Sequence, residues 1–510
     1  MLADSKINIF GYKLDPQDIR LFWLIFAAMI FAKGAMLMRG FAIDDYRFAT
    51  VSDLSHLNIF WSQGRYIQGA LIWILESLGT NSSDLYFPFG ILVLILYPIF
   101  IITVFRFIGV DKSRGGALIG AIIVSHPYLT EIFTFRMALP AQSVALFFSI
   151  IAIEAIQVNY RKWTNVALSL LAMLAMLLTY QSFLNQIAVT LVFTYLYMLL
   201  SIPAKTNHIE GSKSNYRKII TLGSIIVAAT LLFLVLLKIS RWFGIKTEVR
   251  TGLIPSDLWL TRANQLYSAL IKIYWENEPI FPHPLKLLTA FLLIISLFIF
   301  IIRILSIAGI KNKILAILAL VALAPLSIGA TLLANEWWPV PRVIAHVSMI
   351  LGLSLIITQA NLPDRVKDRY NKLIAIPQLA LFFGFVLISN QVFTDQFRIN
   401  TWDRATANRI VARLEAMPGF ERVKYISIQG GSWGYHNQIR TMQGDMNISA
   451  FFPWYSQAAL VSEATGYMFK PALKERLKFG EKYCEQTDSW PALSSIIIHE
   501  DLAVVCMRRP

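Results

Sequence analysis

The chain has 510 residues, of which 56% are hydrophobic and only 15% are charged, and its formal net charge is +15. An ordinary soluble domain has about 25% charged residues, so the composition excludes a cytosolic enzyme, a disordered chain and a small disulfide-rich secreted domain. It also excludes an outer-membrane barrel, because barrel strands alternate apolar and polar residues, whereas this sequence contains solid apolar runs.

Apolar runs occupy most of the chain between residues 21 and 393, and they are near the ~20 residues that a helix needs to cross a bilayer. We predict eleven transmembrane helices, at residues 21–40, 85–105, 115–128, 139–157, 163–180, 182–202, 218–240, 284–304, 314–334, 342–360 and 373–393. The apolar segment 66–79 is shorter and contains Glu76, so we expect an interfacial or re-entrant helix there. The sequence thus predicts an all-α polytopic membrane domain over residues 1–393.

The positive charge is concentrated in alternate polar breaks between these runs. The breaks 1–20, 103–116, 157–164, 203–218, 303–313 and 361–373 contain 19 lysines and arginines against 7 acidic residues, and so carry +12 of the net +15. The positive-inside rule assigns such segments to the cytoplasm. We therefore expect a multi-pass protein of the bacterial inner membrane with a retained first helix and a cytoplasmic N-terminus, and no nucleic-acid partner.

The tail after residue 393 is polar, and its apolar residues follow helical spacing in some segments and strand spacing in others. Residues 402–417 and about 471–482 have helical patterns, 423–428 is typical of a strand, and 494–498 with 502–507 is typical of a hairpin. These patterns predict a small periplasmic α/β domain over residues 394–510. Its aromatic run 451–455 (FFPWY) is more typical of a core than of a platform for a sugar, and both remain open.

The tail also contains the only two cysteines, Cys484 and Cys506. The outer side of a bacterial inner membrane is oxidising and favours a disulfide. The bridge would close a loop of about 22 residues and contribute roughly 3 kcal/mol in the chain-entropy model. Two unpaired buried thiols are the alternative.

Candidates for chemistry are the polar residues at the predicted outer ends of the helices. Asp44 and Asp45 directly follow the first apolar run. Two adjacent carboxylates at a membrane surface repel each other, so this pair can supply a general base or bind a divalent metal, or it can simply cap a helix. Arg65 in the same loop would add a cation suited to an anionic lipid substrate.

Two more outer loops combine charged and aromatic residues. Residues 125–140 contain His126, Glu131 and Arg136. An arginine in this loop can bind a phosphate by two parallel hydrogen bonds. Alternatively, the loop can anchor the protein at the membrane interface. Residues 335–346 contain Glu336 and Arg342 beside two tryptophans that are typical of an interfacial belt or of a stacking surface for a sugar.

The Tyr180–Gln181 turn can bind a ligand or merely satisfy backbone groups.

Motifs for nucleotide phosphate binding, for HExxH zinc sites and for a G-x-S-x-G nucleophile are absent from the sequence. If the protein transfers a group, we therefore expect the donor to be lipid-borne and used at the outer face.

The order of these residues resembles a known family, the bacterial serotype-converting O-antigen glucosyltransferases (Gtr family). The resemblance covers about residues 40–345, and it rests on Asp44–Asp45, Gly64–Arg65, the segment S-H-P-x-x-x-E-x-F-x-F-R from Ser125 to Arg136, Tyr180–Gln181 and Pro341–Arg342–Val343. The segment from Ser125 to Arg136 is its most specific part.

The resemblance implies a GT-C type fold with catalysis at the periplasmic face. It implies undecaprenyl phosphate-glucose as the donor, which a donor-synthesising glucosyltransferase makes and a flippase moves across the membrane, and a lipid-linked O-antigen repeat as the acceptor. The only cofactor that it leaves open is a divalent metal, held by Asp44 and Asp45.

By position, Asp44 or Asp45 would be the general base, and the other would orient it. Arg65, Arg136 or Arg342 would bind the donor phosphate, and the remaining substrate-binding candidates are His126, Glu131, Tyr180, Gln181 and Glu336. Two other classes stay open at this point. An O-antigen polymerase or ligase would depend on basic residues in a large outer loop, and a lipid or sugar transporter would favour internal repeats.

Overall fold

The structure is a computed structural model. It describes residues 8–9, 12–13, 15–50, 55–110, 114–200, 209–246, 252–362, 364–431 and 440–507. Parts of the predicted basic segments 1–20, 103–116, 203–218 and 361–373 lie outside the described residues.

Helices account for most of the chain before residue 415. Two short strands, β1 (Asn8–Ile9) and β2 (Tyr12–Lys13), pair antiparallel ahead of them. The helices are α1 (Pro16–Lys33), α2 (Asp45–Thr50), α3 (Ser55–Ser62), α4 (Tyr66–Ser77), α5 (Tyr86–Ile108), α6 (Arg114–Ser125), α7 (Pro127–Thr134), α8 (Leu139–Asn159), α9 (Trp163–Thr179), α10 (Phe183–Leu200), α11 (Ile209–Trp242), α12 (Trp259–Tyr274), α13 (His283–Ser306), α14 (Ile310–Leu326), α15 (Val347–Ala360) and α16 (Asp364–Glu415).

In the part of the chain that the structure describes, seven helices are long and apolar enough to cross a membrane: α1, α5, α8, α10, α11, α13 and α16. The pair α6 and α7, bent by 49°, would make an eighth span, and α9 and α15 are apolar but shorter. These helices are typical of a polytopic membrane protein, and the count of eleven spans stays a prediction. Every residue of α15 from Val347 to Gln359 is buried, so protein surrounds this helix and its length need not match the bilayer.

The bend between α6 and α7 lies within the Ser125–Arg136 segment. His126 caps α7 by accepting a hydrogen bond from the backbone N–H of Tyr128, and Pro127 occupies the first turn, where its missing N–H costs nothing. The end of α6 leaves carbonyl groups without helical partners. The fully buried Lys33 of α1 donates to one of them, that of Ser125, and to the carbonyl of His126 at the bend, at 3.1 Å each.

The tail contains a small sheet and two helices, the first of which packs on α16. The elements are β3 (Tyr425–Gln429), α17 (Trp454–Thr465), β4 (Lys470–Pro471), α18 (Glu475–Glu485), β5 (Ile496–His499) and β6 (Leu502–Cys506). The strand order is β4-β3-β6-β5. Strand β3 is parallel to β4 and β6, and β5 with β6 is antiparallel. The predicted hairpin and the small α/β architecture of the tail are therefore confirmed.

Helix α16 runs without interruption through residue 393, the boundary predicted between the two domains. Its last turns, the predicted helix 402–417, pack on α17, and Arg404 donates two hydrogen bonds to Glu463 at 2.9 and 3.0 Å. The division of the chain at residue 393 stays a prediction.

A disulfide joins α18 to β6. Cys484 and Cys506 are bonded, with their Cα atoms 5.3 Å apart, and both side chains are fully buried. The bridge lies in a small core with Ala472, Leu502 and Val504. It fixes the outer helix of the tail to the central part of its sheet.

Candidate active site

Segment 440–455, which follows β3, contacts the loop after α1 and the loop before α15. The backbone N–H of Ile43 donates to the carbonyl of Met446 at 3.1 Å. The backbone N–H of Asp445 donates to the carboxylate of Glu131 on α7. The loop after α1, which contains the acidic pair, and the predicted outer loops therefore meet in one site. Segment 440–455 from the C-terminal part of the chain completes this site.

Asp45 is buried inside the protein, and its carboxylate accepts hydrogen bonds from backbone N–H groups. Its side chain is 0% exposed. One carboxylate oxygen accepts from the N–H groups of Ala42 (2.7 Å) and Arg136 (3.1 Å), and the other accepts from the N–H of Met137 (2.8 Å). Burial raises the pKa of Asp45 to about 7, and these hydrogen bonds and the Arg136 charge oppose the rise. Asp45 thus ties the loop after α1 to the start of α8.

We expect Asp45→Asn to lower the stability of the fold. The new amide nitrogen would face backbone N–H donors, and each buried donor left without an acceptor costs about 1–3 kcal/mol. Thermal unfolding in detergent should show a lower midpoint for Asp45→Asn than for wild type. The exposed Asp257→Asn is the matched control and should leave the midpoint unchanged. Equal midpoints for all three proteins would show that Asp45 does not hold this loop.

Asp44 differs from its neighbour because its side chain faces other titratable groups. It is partly buried, accepts a hydrogen bond from the Tyr455 hydroxyl, and lies within electrostatic range of Arg342 and Asp445. Burial raises the pKa of Asp44, the Tyr455 hydrogen bond and the Arg342 charge oppose this rise, and the Asp445 charge adds to it. Of the acidic pair, Asp44 is therefore the residue whose carboxylate faces side chains of the C-terminal part of the chain.

Arg342 is a cation within electrostatic range of Asp44. Its guanidinium forms an ion pair with Asp445 and lies over the Trp338 ring, 4.6 Å from the ring centre. Its backbone N–H donates to Glu131 at 3.0 Å. Burial alone would lower the pKa of Arg342, but the carboxylates of Asp445 and Glu131 outweigh it and raise that pKa.

Glu131 positions two segments that are far apart in sequence. Its carboxylate accepts from the backbone N–H groups of both Arg342 and Asp445. Gly444 makes this approach possible, since a β-carbon there would overlap the Glu131 carboxylate. Glu131 therefore acts on the site through backbone contacts that hold the Arg342–Asp445 ion pair in place.

The structure brings Arg65, Tyr180 and Gln181 together beside Arg342. The Arg65 side chain donates to the Gln181 side chain at 3.0 Å and lies over the Tyr180 ring, 4.8 Å from its centre. Tyr180 in turn lies within electrostatic range of Arg342. Glu336 is partly buried in the same loop as Arg342. Tyr180 thus contacts Arg65 and lies near Arg342.

Arg136 and His126 lie deeper in the packing. The Arg136 guanidinium is 2% exposed and donates to the carbonyls of Phe133 (3.1 Å) and Thr134 (2.9 Å) and to Gln396 (2.6 Å). His126 is fully buried among the rings of Tyr128, Phe281 and Phe385. A phosphate at Arg136 would have to displace these acceptors, and the substrate-binding roles of both residues stay predictions.

Sequence reasoning missed Asp445, and it did not recognise what Tyr455 contacts. Tyr455 belongs to the aromatic run 451–455, whose Phe451 is buried as core while Tyr455 reaches Asp44. The only local sign of Asp445 is the glycine before it, which is a weak one. Both residues contribute to the site because of long-range contacts, which a local pattern does not encode.

The acidic pair has few neighbours that could help to bind a metal ion. Among the residues with described positions, no group of three or more His, Cys, Asp or Glu side chains is placed to hold a metal ion. Both carboxylate oxygens of Asp45 already accept backbone N–H groups, so an ion shared by Asp44 and Asp45 would compete with these bonds. A divalent metal at Asp44 and Asp45 stays one of the alternatives that the sequence leaves open.

Comparison with known proteins gives one family. The sequence model of the family described as Glucosyl transferase GtrII matches residues 35–359. This range includes Asp44, Arg65, Glu131 and Arg342 and ends before α16, so Asp445 and Tyr455 lie outside it. No curated protein matches the chain.

Proposed function

Because the chain belongs to the glucosyl transferase GtrII family, we propose that it moves glucose from undecaprenyl phosphate-glucose to a lipid-linked O-antigen repeat at the periplasmic face of the bacterial inner membrane. The family implies a glycosyltransferase of O-antigen glucosylation. The absence of nucleotide-binding motifs from the sequence supports a lipid donor. The basic segments on the predicted cytoplasmic side support transfer at the opposite, periplasmic face. A partner glucosyltransferase would make the donor, and a flippase would deliver it.

The cluster of Asp44 with Tyr455 and Arg342 is the observation on which this mechanism rests. Asp44 would take the proton from an acceptor hydroxyl as that oxygen attacks the anomeric carbon of glucose. The new glycosidic bond forms as the bond from carbon to phosphate oxygen breaks, and undecaprenyl phosphate leaves with the electron pair. A β-linked donor attacked in line would give an α-glucoside, and one base is enough for such an inverting step.

Arg342 would bind the donor phosphate and stabilise the charge that develops on it. A guanidinium can bind two phosphate oxygens in parallel, and stacking on Trp338 keeps its plane fixed. Arg342 is paired with Asp445, so a phosphate would share or replace this carboxylate. Arg65, which lies over the Tyr180 ring, would supply a second cation to the same anionic group.

The family match favours glucosyl transfer over an O-antigen polymerase or ligase and over a lipid or sugar transporter. The direct test uses protein purified in detergent with undecaprenyl phosphate-glucose and O-antigen repeats on their lipid carrier. Mass spectrometry should detect one added glucose on the acceptor, and uridine diphosphate glucose should not replace the lipid donor. Transfer from the nucleotide sugar, or no transfer from any polyprenyl phosphate sugar, would contradict the proposal.

We expect Tyr455→Phe to move the acidic limb of the pH–rate profile to higher pH. The Tyr455 hydrogen bond opposes the effect of burial on Asp44, so its loss raises the pKa of that carboxyl group. A base works only when it is unprotonated, and the rate therefore falls at a higher pH on acidification. A hydrogen bond to a charged group is worth about 1.5–3 kcal/mol, which corresponds to a shift of roughly one to two pH units.

The profile should be measured as kcat at saturating substrates for wild type, Tyr455→Phe and Tyr467→Phe. Tyr467 lies in the same part of the chain and its hydroxyl donates to Glu415, away from the site. An acidic limb that is unchanged in Tyr455→Phe would show that this hydroxyl does not position the base.

A further inference from the structure

A cavity of about 380 Å³ is formed in part by segment 440–455, the segment that contains Asp445 and Tyr455. Its walls come from the turn between α12 and α13, from the middle of α16 and from the start of segment 440–455. The polar side chains on these walls are those of Asn277, Glu278, Gln391, Asp395, Arg440 and Thr441. Its volume is within the range of small-molecule sites, about 300–1,000 Å³.

Two structural links connect the cavity to the cluster. Tyr128 at the start of α7 donates to Glu278 in the cavity wall at 2.6 Å, and Glu131 lies three residues later on the same helix, about 4.5 Å along its axis. The backbone N–H of Met442 donates to Asp395 at 2.8 Å. Asp445 follows three residues later, at most roughly 11 Å away in an extended chain. The cavity is therefore connected to Glu131 and Asp445, which both contact Arg342.

The charges of the cavity do not require a charged ligand. Two carboxylates and one arginine line it. Both carboxylates already have partners within the protein. Glu278 accepts from Lys286 at 3.0 Å, and Asp395 accepts from Arg398 at 2.6 Å. A cation is not required to satisfy them, and they can still accept hydrogen bonds from hydroxyl groups.

The remaining lining fits a ligand with many hydroxyl groups. The amides of Asn277 and Gln391 and the hydroxyl of Thr441 both donate and accept hydrogen bonds. Pro279, Pro282 and Met442 add apolar surface, which suits the C–H faces of a sugar ring. An apolar wall with a few convergent polar groups is the usual composition of a small-molecule site.

We propose that this cavity is the acceptor subsite, which binds one saccharide unit of the lipid-linked acceptor and directs the neighbouring sugar hydroxyl to Asp44. The inference rests on the proposed function and adds to it the place and chemistry of acceptor recognition. The donor phosphate then binds at Arg342 and Arg65 and not in the cavity. Acceptor choice is set by α16 and segment 440–455, outside the residues that match the family.

Gln391→Leu and Thr441→Val test the proposal, because each removes a polar group and nearly keeps the side-chain volume. Asp395 retains Arg398 and the N–H of Met442 as partners in Gln391→Leu. A lost hydrogen bond of about 1.4 kcal/mol corresponds to a tenfold change. We therefore expect the KM for the lipid-linked acceptor to rise about tenfold in each variant, with much smaller changes in kcat and in the KM for the donor.

The matched control is Gln17→Leu, which removes an exposed amide from α1 far from the cavity in sequence and should keep every constant at the wild-type value. A second readout needs no turnover: saturation-transfer NMR with the O-antigen oligosaccharide of the source bacterium, released from its lipid. Binding by wild type and its weakening in both cavity variants would support the subsite.

Unchanged acceptor KM and unchanged oligosaccharide binding in both variants would overturn the subsite, even if wild type transfers glucose. Failure of wild type to transfer glucose would contradict the proposed function instead, and the binding experiment would then decide the role of the cavity by itself. A rise in the donor KM alone would place the phosphate in the cavity and would also overturn the inference.

Discussion

Asp44→Asn is expected to reduce glucose transfer by about 10²- to 10⁴-fold, the usual contribution of a positioned general base. Asparagine has nearly the shape of aspartate, and its oxygen can still accept the hydrogen bond from Tyr455. It cannot accept a proton from the acceptor hydroxyl. The change therefore removes the chemistry and leaves the packing of the loop after α1 intact.

This prediction is tested by measuring kcat at saturating donor and acceptor for wild type, Asp44→Asn and Asp45→Asn, each normalised to folded protein. Burial raises the pKa of Asp44, so the wild-type rate should fall on acidification at a pH above the ordinary range of aspartate. The residual activity of Asp44→Asn should lack this acidic limb. Wild-type activity in Asp44→Asn, or an equal loss per folded molecule in Asp45→Asn, would contradict the assignment of the base.

The second large effect is expected for Arg342→Gln, with a loss of about 10²- to 10³-fold in kcat/KM for the donor. This is the size of the loss when one preorganised donor to a developing negative charge is removed. Arg342→Lys should recover only part of it, because an ammonium group cannot bind two phosphate oxygens in parallel or stack on Trp338 in the same way. Arg161→Gln, an exposed arginine on the predicted cytoplasmic side, is the matched control.

The partner of Arg342 requires one more variant. Arg342→Gln leaves Asp445 without its cation, and an unpaired carboxylate near Asp44 would raise the pKa of the base further. The double variant Arg342→Gln/Asp445→Asn removes that charge as well. We expect it to remain as inactive toward the donor as the single variant. Recovery of activity in the double variant would show that Arg342 serves only to neutralise Asp445.

Much of the helical architecture could be predicted from the sequence because a solid apolar run has few alternatives to a membrane helix. The count of spans could not, since hydropathy does not distinguish contact with lipid from contact with protein. Helix α15 shows the difference, as it is short and buried on every side. The hairpin of the tail followed from local patterning, and its pairing with β3 did not.

The candidate site could be predicted only in part, and the acidic pair shows why. Asp44 and Asp45 are adjacent in sequence, but Asp45 is fixed by the N–H groups of Arg136 and Met137, 91 and 92 residues away. Asp44 meets Tyr455 only because α16 returns the tail to the loop after α1. Arg136 looked equivalent to Arg342 in the sequence, and the structure separates them because Arg136 binds backbone carbonyls while Arg342 binds a carboxylate.

A structure of the protein with undecaprenyl phosphate-glucose bound, determined by electron cryomicroscopy, tests the central claim most directly. We predict that the donor phosphate lies within hydrogen-bond distance of the Arg342 guanidinium. The glucose ring should lie between Arg342 and Asp44, with its anomeric carbon open to a hydroxyl that Asp44 can reach. A phosphate bound at Arg136, or at the basic segments on the predicted cytoplasmic side, would contradict the proposed site.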